Sequence, residues 1–404
     1  MSSGASPAGQ DGPAVRYEER VLPPVHNPDL LSRRAAERRR APYLAAVPPA
    51  IAAMPFTIPT EVLAEVDDAS RMITRFDAEF AGFPAPFSAV LLRSESASSS
   101  QIEHLTSGAR AIAEAEIDER IQGNAPLIVR NVRAMEAAIA LADDISDATI
   151  IEMHRQLLES SAPRLVGGYR AEQVWIGGAL PHDAAFVPPH HERVADAMAD
   201  LVAFTRRTDL PVLVQAAVAH AQFETIHPFP DGNGRTGRAL VQAILRNGRL
   251  IRHMTIPVSS GILTDVDAYF DALDAYRRGD VAPILAVFAT ASLAALRNAT
   301  VLAEDLARLQ HEWDGRLTGL RADSTARRLA RVSIEHPALN ARLARERTGA
   351  SQPAVDNALQ QLTERGILRM VNGQRRNRVW LNPEVLDALD AFAERSGRRQ
   401  DPSY

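Results

Sequence analysis

His227-Pro228-Phe229-Pro230-Asp231-Gly232-Asn233-Gly234-Arg235-Thr236-Gly237-Arg238 is the stretch on which the reading of this 404-residue chain turns. Helical spacing runs up to it from Pro211 to about Thr225, and resumes after it to about Leu245, where Asn247-Gly248 ends the pattern. The segment is therefore a loop between two helices, and it opens the second one. Gly232, Asn233 and Gly234 allow a tight turn and expose backbone amides. Those amides precede a helix, where orphan N–H groups and the macrodipole attract an anion. Arg235 and Arg238 are three apart and share one helix face near the same end. Guanidinium groups beside free amides make a polyphosphate cradle. Asp231 adds one carboxylate, a donor set that suits Mg²⁺ together with phosphate oxygens and water. His227 stands at the loop entrance. An ordinary imidazole is mostly neutral at pH 7, as a general base requires.

Composition bounds the rest. The chain is 46% hydrophobic and 24% charged, which fits a soluble globular protein, and its length fits two or three domains of about 150 residues. There is no Cys, which excludes a disulfide scaffold, a thiolate zinc site, an iron–sulfur cluster and a cysteine nucleophile. All 45 basic residues are Arg, so a Walker-A lysine and a Schiff-base lysine are excluded as well. Aromatics make up 5%, and abundant Ala and Arg favour helices, so the expected class is mainly α. The uncharged run Val281 to Leu296 contains Pro283, Thr290 and Ser292 and reads as a buried helix, with no membrane partner expected. Met1 to Pro13 lacks an apolar signal core, so the expected location is cytoplasmic.

Along the chain, residues 1–42 read as a flexible tail ending in the basic run Arg33 to Arg40. Residues 43–120 read as an N-terminal helical region: Val62, Leu63, Val66, Ala69 and Ile73 recur at helix spacing, and Gly82, Pro84 and Pro86 break it. Phe87 to Leu92 is followed by a serine cluster, Ser94 to Ser100, with periodicity resuming at Ile102. Residues 121–310 read as a helical core with one hairpin or flap, Gln173-Val174-Trp175-Ile176 against Ala185 to Val187 across Gly177-Gly178. Residues 320–395 form a last domain with a charge shift. Between Thr325 and Leu381 stand 11 Arg and 4 acidic residues, a balance of +7 in a chain of net charge −5. Leu343 to Thr348, a turn at Gly349 to Ser351, and Pro353 to Glu364 read as helix–turn–helix, with Ser351 as cap. A hairpin with an Asn372-Gly373 turn follows, and Arg375, Arg376 and Arg378 lie in it, the pattern of a winged helix.

The 227–238 loop resembles the signature of Fic-domain proteins, H-x-F-x-(D/E)-G-N-G-R-x-x-R, at every fixed position. The resemblance extends over roughly residues 50 to 300, with a winged helix as a common C-terminal companion. It implies a protein adenylyltransferase, which moves AMP from ATP to a Ser, Thr or Tyr hydroxyl of a protein. It implies His227 as the base, Asp231 as the Mg²⁺ ligand, and Gly232, Asn233 and Gly234 as the anion hole. Arg235 and Arg238 would hold the β- and γ-phosphates, and Phe229 would anchor the loop. Gly168-Tyr169-Arg170, Gln173-Val174-Trp175-Ile176-Gly177 and Phe186-Val187-Pro188-Pro189 resemble the family's flap, whose Gln173 to Ile176 edge would dock the target by strand addition. Tyr269, Leu273, Tyr276, Gly279 and Asp280 resemble the family's adenine-side segment, although their spacing equally suits a core helix.

Ser99-Ser100-Gln101-Ile102-Glu103-His104 resembles the inhibitory motif (S/T)-x-x-x-E-(G/N), in the class with an N-terminal inhibitory helix. The resemblance implies that Glu103 engages Arg238 and withholds it from the γ-phosphate. His104 departs from the pattern. The same residues, Ser100 to Glu103, also fit an ordinary capping box. Three other activities follow from these features. A deAMPylase would use Glu103 to activate water. Phosphoryl transfer, which relatives perform with a lysine in the anion hole, is disfavoured in a chain without lysine. A DNA-binding regulator would use the winged helix, which equally suits a protein partner or a homodimer.

Overall fold

The computed structural model describes residues 12, 14–23, 33–82, 87–118, 121–371 and 378–397. In chain order the elements are β1 Arg16–Arg20, α1 Arg33–Arg40, β2 Tyr43–Val47, α2 Thr60–Phe80, α3 Phe87–Ile102, α4 Ala109–Ile117, α5 Asn124–Ala140, α6 Asp147–Leu158, α7 Val194–Thr205, α8 Val212–Ile226 and α9 Asn233–Asn247. They continue with α10 Val258–Ile262, α11 Val266–Arg277, α12 Ala282–Arg316, α13 Thr325–Glu335, β3 Ala338–Asn340, α14 Ala341–Thr348, α15 Gln352–Glu364, β4 Arg369–Met370, β5 Val379–Leu381 and α16 Pro383–Arg395. The protein is mainly helical, as its composition predicts. The chain divides into a unit of residues 1–67, 141–247 and 267–288, and a unit of residues 68–140, 248–266 and 289–404.

The first unit is built on α8, in which every residue from Leu213 to Ile226 is buried. A helix buried on all sides must be wrapped by others, and its polar residues need partners there: Gln215, for one, donates to Phe204 O and Thr205 O. α9 packs closely on it through Gly237: a Cβ there would stand 3.0 Å from Phe223 and 3.2 Å from both Glu224 and His220. Tyr269 and Tyr276 of α11 also belong to this core. Both are buried, and they bond His220 at 2.8 Å and Gln222 at 2.9 Å. Their helical spacing therefore marks packing.

Part of the expected tail is structured. β1 pairs antiparallel with β2, from Arg16↔Val47 to Arg20↔Tyr43, and Ala46 N donates to Val187 O at 2.9 Å. Leu22, Tyr43, Ala45 and Val187 form a small core, against which Trp175, Leu180 and Ala184 pack. His182 Nε2 lies 2.9 Å from Ala41 O, and Arg38 pairs with Asp183. Arg193, with Arg20 in support, bonds the Glu18 carboxylate and holds its pKa down to about 2. Residues 16–20 and 43–47 are thus a hairpin seated on residues 180–187. The polar, Arg- and Glu-rich composition of residues 16–20 hides this, because the pairing is carried by backbone.

In the second unit α3 runs unbroken through the serine cluster. Ser94, Ser96 and Ser100 donate their hydroxyls back to Val90, Leu92 and Ser96 carbonyls at 2.8–3.0 Å, which keeps them helical and buried. Asn131 Nδ2 donates to Ser96 O at 2.9 Å, and Glu95 takes Ser259 N and Oγ at 2.8 and 2.6 Å. Arg93 and Glu116 form a bidentate pair at 2.6 and 3.0 Å. Farther on, α13, β3, α14, α15, β4, β5 and α16 follow in order, with strands arranged β3-β5-β4, all antiparallel. Gly349 ends α14 at φ 64, and Pro353 enters α15 in its first turn. Ser351 occupies the N-cap position, but its side chain makes no cap bond. Asn372, Gly373, Arg375 and Arg376 lie outside the described residues.

α12, 35 residues long, is long and apolar enough to cross a membrane by length and composition. Within Val281 to Leu296, Ile284, Leu285, Phe288, Ala295 and Leu296 are buried.

Candidate active site

The 227–238 loop joins α8 to α9. Its first residue, His227, is the C-cap of α8 in the left-handed region, φ 51 and ψ 61, with its N–H on Phe223 O at 2.8 Å. Such a conformation costs a non-glycine residue about 1–2 kcal/mol and concentrates at functional sites. The imidazole side chain is 20% exposed, and its Nδ1 lies 3.8 Å from Glu224 Oε2, one helical turn back. That distance is long for a hydrogen bond but stabilises an imidazolium once it has taken a proton. Glu224 was not singled out by sequence reasoning. Its signal is the i, i+3 spacing to His227 within a buried helix.

The loop's middle is pinned from below. Phe229 is fully buried and stacks on His154, rings 3.7 Å apart and 2° from parallel. His154 Nε2 donates to Asp231 O at 3.0 Å. Burial lowers the His154 pKa, so it is neutral there. Asn233 accepts from Phe229 N and donates to Phe229 O, both at 2.8 Å. The Asn233 side chain therefore clamps the loop, and only its backbone can belong to an anion hole.

The turn that remains is shaped for an anion. Gly232 has φ +80, and a Cβ on it would stand 3.0 Å from Leu157 and 3.4 Å from Leu158. Conformation and space both require glycine. Thr236 N donates to Gly232 O at 3.0 Å, so the amides of Asn233, Gly234 and Arg235 come ahead of the first helical bond. The Asp231 side chain is 60% exposed, accepts from Gly232 N at 2.7 Å, and stands 3.8 Å from Arg235 Nη2. Arg235 and Arg238 are buried at 6% and 2% exposure in the first two turns of α9. His227, Asp231, Gly232, Gly234, Arg235 and Arg238 thus stand together on one loop and one helix end.

The expected flap is less regular than its sequence suggests. Gln173 to Ile176 forms no strand; the segment keeps one antiparallel bridge, Ile176↔Phe186, with Ile176 N on Phe186 O at 2.8 Å. Gly177 and Gly178 both have positive φ, near +73 and +72, and Gly178 approaches Asp183 O too closely for any Cβ. Gln173 turns its amide back onto Val174 O and Pro188 O at 2.9 and 3.0 Å. The Arg277 guanidinium covers the Phe186 ring at 3.8 Å.

Glu103 belongs to the other unit. Ser100 lies in the last turn of α3, so it is no N-terminal capping box. Leu105 N donates to Ser100 O at 3.0 Å and His104 N to Gln101 O at 2.9 Å, with His104 at φ 60. This is a Schellman turn with His104 at its left-handed C′ position and Glu103 as the C-cap. Gly and Asn suit that position best, which gives a physical reason for the motif's last letter.

Among the described residues, His190, His191 and Glu192 also bring metal-ligating atoms within 4.8 Å of one another. Arg20 Nη1, 3.3 Å from Glu192 Oε2, competes with a cation there.

Residues 144–245 match the Fic/DOC family model. The chain carries a Fic domain, and the loop lies inside it. Protein adenylyltransferase fic-1 of Caenorhabditis elegans is 31% identical over 155 residues, 38% of this chain and 28% of that protein. Protein adenylyltransferase Fic of Nematostella vectensis is 31% identical over 147 residues, 36% of this chain and 32% of that protein. The match therefore spans less than a third of the length of these curated relatives. A Fic family protein from Desulfovibrio desulfuricans aligns with a TM-score of 0.52 at 24% identity, over 81% of this chain and 97% of that one. That likeness is one of fold. Tyr169 and Arg170 lie on the approach to the flap, inside the matched residues. Tyr169 donates to Asp147 Oδ1 at 2.5 Å and lies 5.5 Å from the Phe229 ring.

Proposed function

We propose that the protein is an adenylyltransferase that moves AMP from ATP to a hydroxyl of a protein target. The observation that carries it is the convergence of helix-end amides, Arg235, Arg238, Asp231 and His227 on one turn. His227 takes the hydroxyl proton as the oxygen attacks the α-phosphorus. The new O–P bond forms as the bond to the β-phosphate oxygen breaks, and pyrophosphate leaves. Charge grows on the oxygens of the α-phosphate, and preorganised amides at a helix end stabilise it without reorganising. Arg235 and Arg238 hold the outgoing β- and γ-phosphates. An exposed single carboxylate such as Asp231 fits Mg²⁺, which takes its other ligands from phosphate and water. When bound, the ion neutralises phosphate charge. The test is incubation with labelled ATP and Mg²⁺ followed by mass analysis of labelled proteins. An AMP adduct is expected; a phosphate adduct or none would reject the reading.

Glu103 acts on this site as an inhibitor, by resemblance of its motif and by its place as the cap of a well-formed helix. The C-terminal elements are best read as a winged helix, supported by the order of α13, β3, α14, α15, β4 and β5 and by the β3-β5-β4 sheet. Arg342, Arg345, Glu346, Gly349, Ala350 and Gln352 line a groove on the α14–α15 turn, with Arg342 3.6 Å from Glu346. The balance of +7 between Thr325 and Leu381 supports a DNA-contacting role beside the enzymatic one. Titrating duplex DNA at several salt concentrations is expected to show affinity falling with a log–log slope of about −0.9 per phosphate neutralised. No binding at low salt would reject the DNA role.

A further inference from the structure

We propose that Arg170 is a positioning residue that locks the base-bearing turn and the flap into one geometry. The inference rests on the adenylyl-transfer reading of the same site.

Arg170 is buried at 4% exposure, yet each acceptor that bonds it is a backbone carbonyl. Its Nε donates to His227 O at 2.8 Å, and Nη2 reaches Ile226 O at 3.4 Å. These are the last carbonyls of α8, where the helix dipole concentrates negative charge and favours a cation. The other bonds go elsewhere: Nη1 to Glu172 O at 2.8 Å and Nη2 to Pro189 O at 2.6 Å. Glu172 and Pro189 are the two feet of the flap segment. The Arg170 amide also donates to Pro228 O at 2.9 Å. One planar guanidinium therefore ties both feet of the flap to the end of the helix that presents His227.

The energetics explain why Arg stands here. Burial lowers its pKa to about 10, so it remains charged at neutral pH. A rigid fork of donors serves four carbonyls at once, whereas a lysine is a point charge on a flexible stem. The bond to His227 O also holds a residue in the left-handed conformation, which without support would relax. If the flap seats the target hydroxyl and His227 takes its proton, their relative placement is the quantity that Arg170 sets. A misplacement of about 1 Å can cost on the order of 10²-fold in rate.

The test compares Arg170→Lys with the unsubstituted full chain. AMP transfer to lysate proteins is expected to fall about tenfold or more, while ATP affinity stays within about twofold. Amide exchange is expected to accelerate in residues 172–189 and 226–232 together, with α7 unchanged. A folded Arg170→Lys protein with an unaltered transfer rate overturns the proposal, as does exchange that accelerates in one of the two segments alone. Arg170→Ala is the second arm. Free guanidinium at non-denaturing concentration is expected to restore part of the rate, and ammonium none; equal restoration by both overturns the proposal. An unsubstituted protein that neither binds ATP nor transfers AMP rejects the adenylyl-transfer reading itself, and the exchange arm then still judges the coupling.

Discussion

His227→Ala is expected to lower AMP transfer by about 10²–10⁴-fold, the usual contribution of a general base, with ATP affinity changed by less than about twofold. The two halves of this expectation come from different parts of one loop. In the proposed reaction, phosphate binding falls to the helix-end amides and to Arg235 and Arg238, which follow Gly232. The imidazole precedes that turn, on the C-cap of α8. Removing it deletes the proton acceptor but leaves the Phe229–His154 stack and the Asn233 clamp, which carry the loop's shape. Glu224, 3.8 Å from Nδ1, stabilises the imidazolium formed during the step, so its loss adds to the effect of a poor base and not to that of weak nucleotide binding. Initial rates with labelled ATP, beside a nucleotide titration, measure both quantities. A rate unaltered by the substitution would mean that the proton leaves by another route. A parallel loss of ATP affinity would mean that the loop itself had changed.

The loop was legible because its chemistry is contiguous. Twelve adjacent residues supply imidazole, carboxylate, amides and guanidiniums, and a helix flanks each side. The helix α8 was legible from its spacing between Pro211 and Thr225, but the burial of its polar residues Gln215, His220, Gln222 and Glu224 was not. What escaped the sequence depends on contacts between distant segments. β1 is polar, and its antiparallel pairing with the apolar β2, like the bond of Ala46 N to Val187 O, joins segments far apart in the chain through backbone groups. Arg170 stands in the sequence only as part of the flap-like stretch Gly168-Tyr169-Arg170; its role needs its four carbonyl acceptors, two of them more than fifty residues away, to be brought together. The serine cluster looked like a break because serine favours turns; buried in α3, its hydroxyls fold back on the helix carbonyls instead. The flap was overestimated because β-branched and aromatic residues around Trp175 suggest strand, whereas successive glycines with positive φ allow a single bridge.

Glu103→Gly is expected to raise AMP transfer by about one to two decades. A charge-assisted hydrogen bond contributes about 1.5–3 kcal/mol, and every 1.4 kcal/mol is tenfold in population. The Schellman turn makes a second, opposite expectation available. His104 sits at φ 60, where a side chain with a Cβ costs about 1 kcal/mol that glycine does not. His104→Gly therefore stabilises the turn that presents Glu103 and is expected to lower basal transfer by about fivefold, the conversion of ~1 kcal/mol. The two substitutions are adjacent in sequence yet predicted to move the rate in opposite directions. General loosening of the end of α3 would instead move it the same way in both. In the double variant the glycine at 104 should have no effect, since no carboxylate remains to be presented. Label transfer measured for the single and double variants settles it. A fall in rate with Glu103→Gly, or a rise with His104→Gly, would remove the inhibitory role from this helix end.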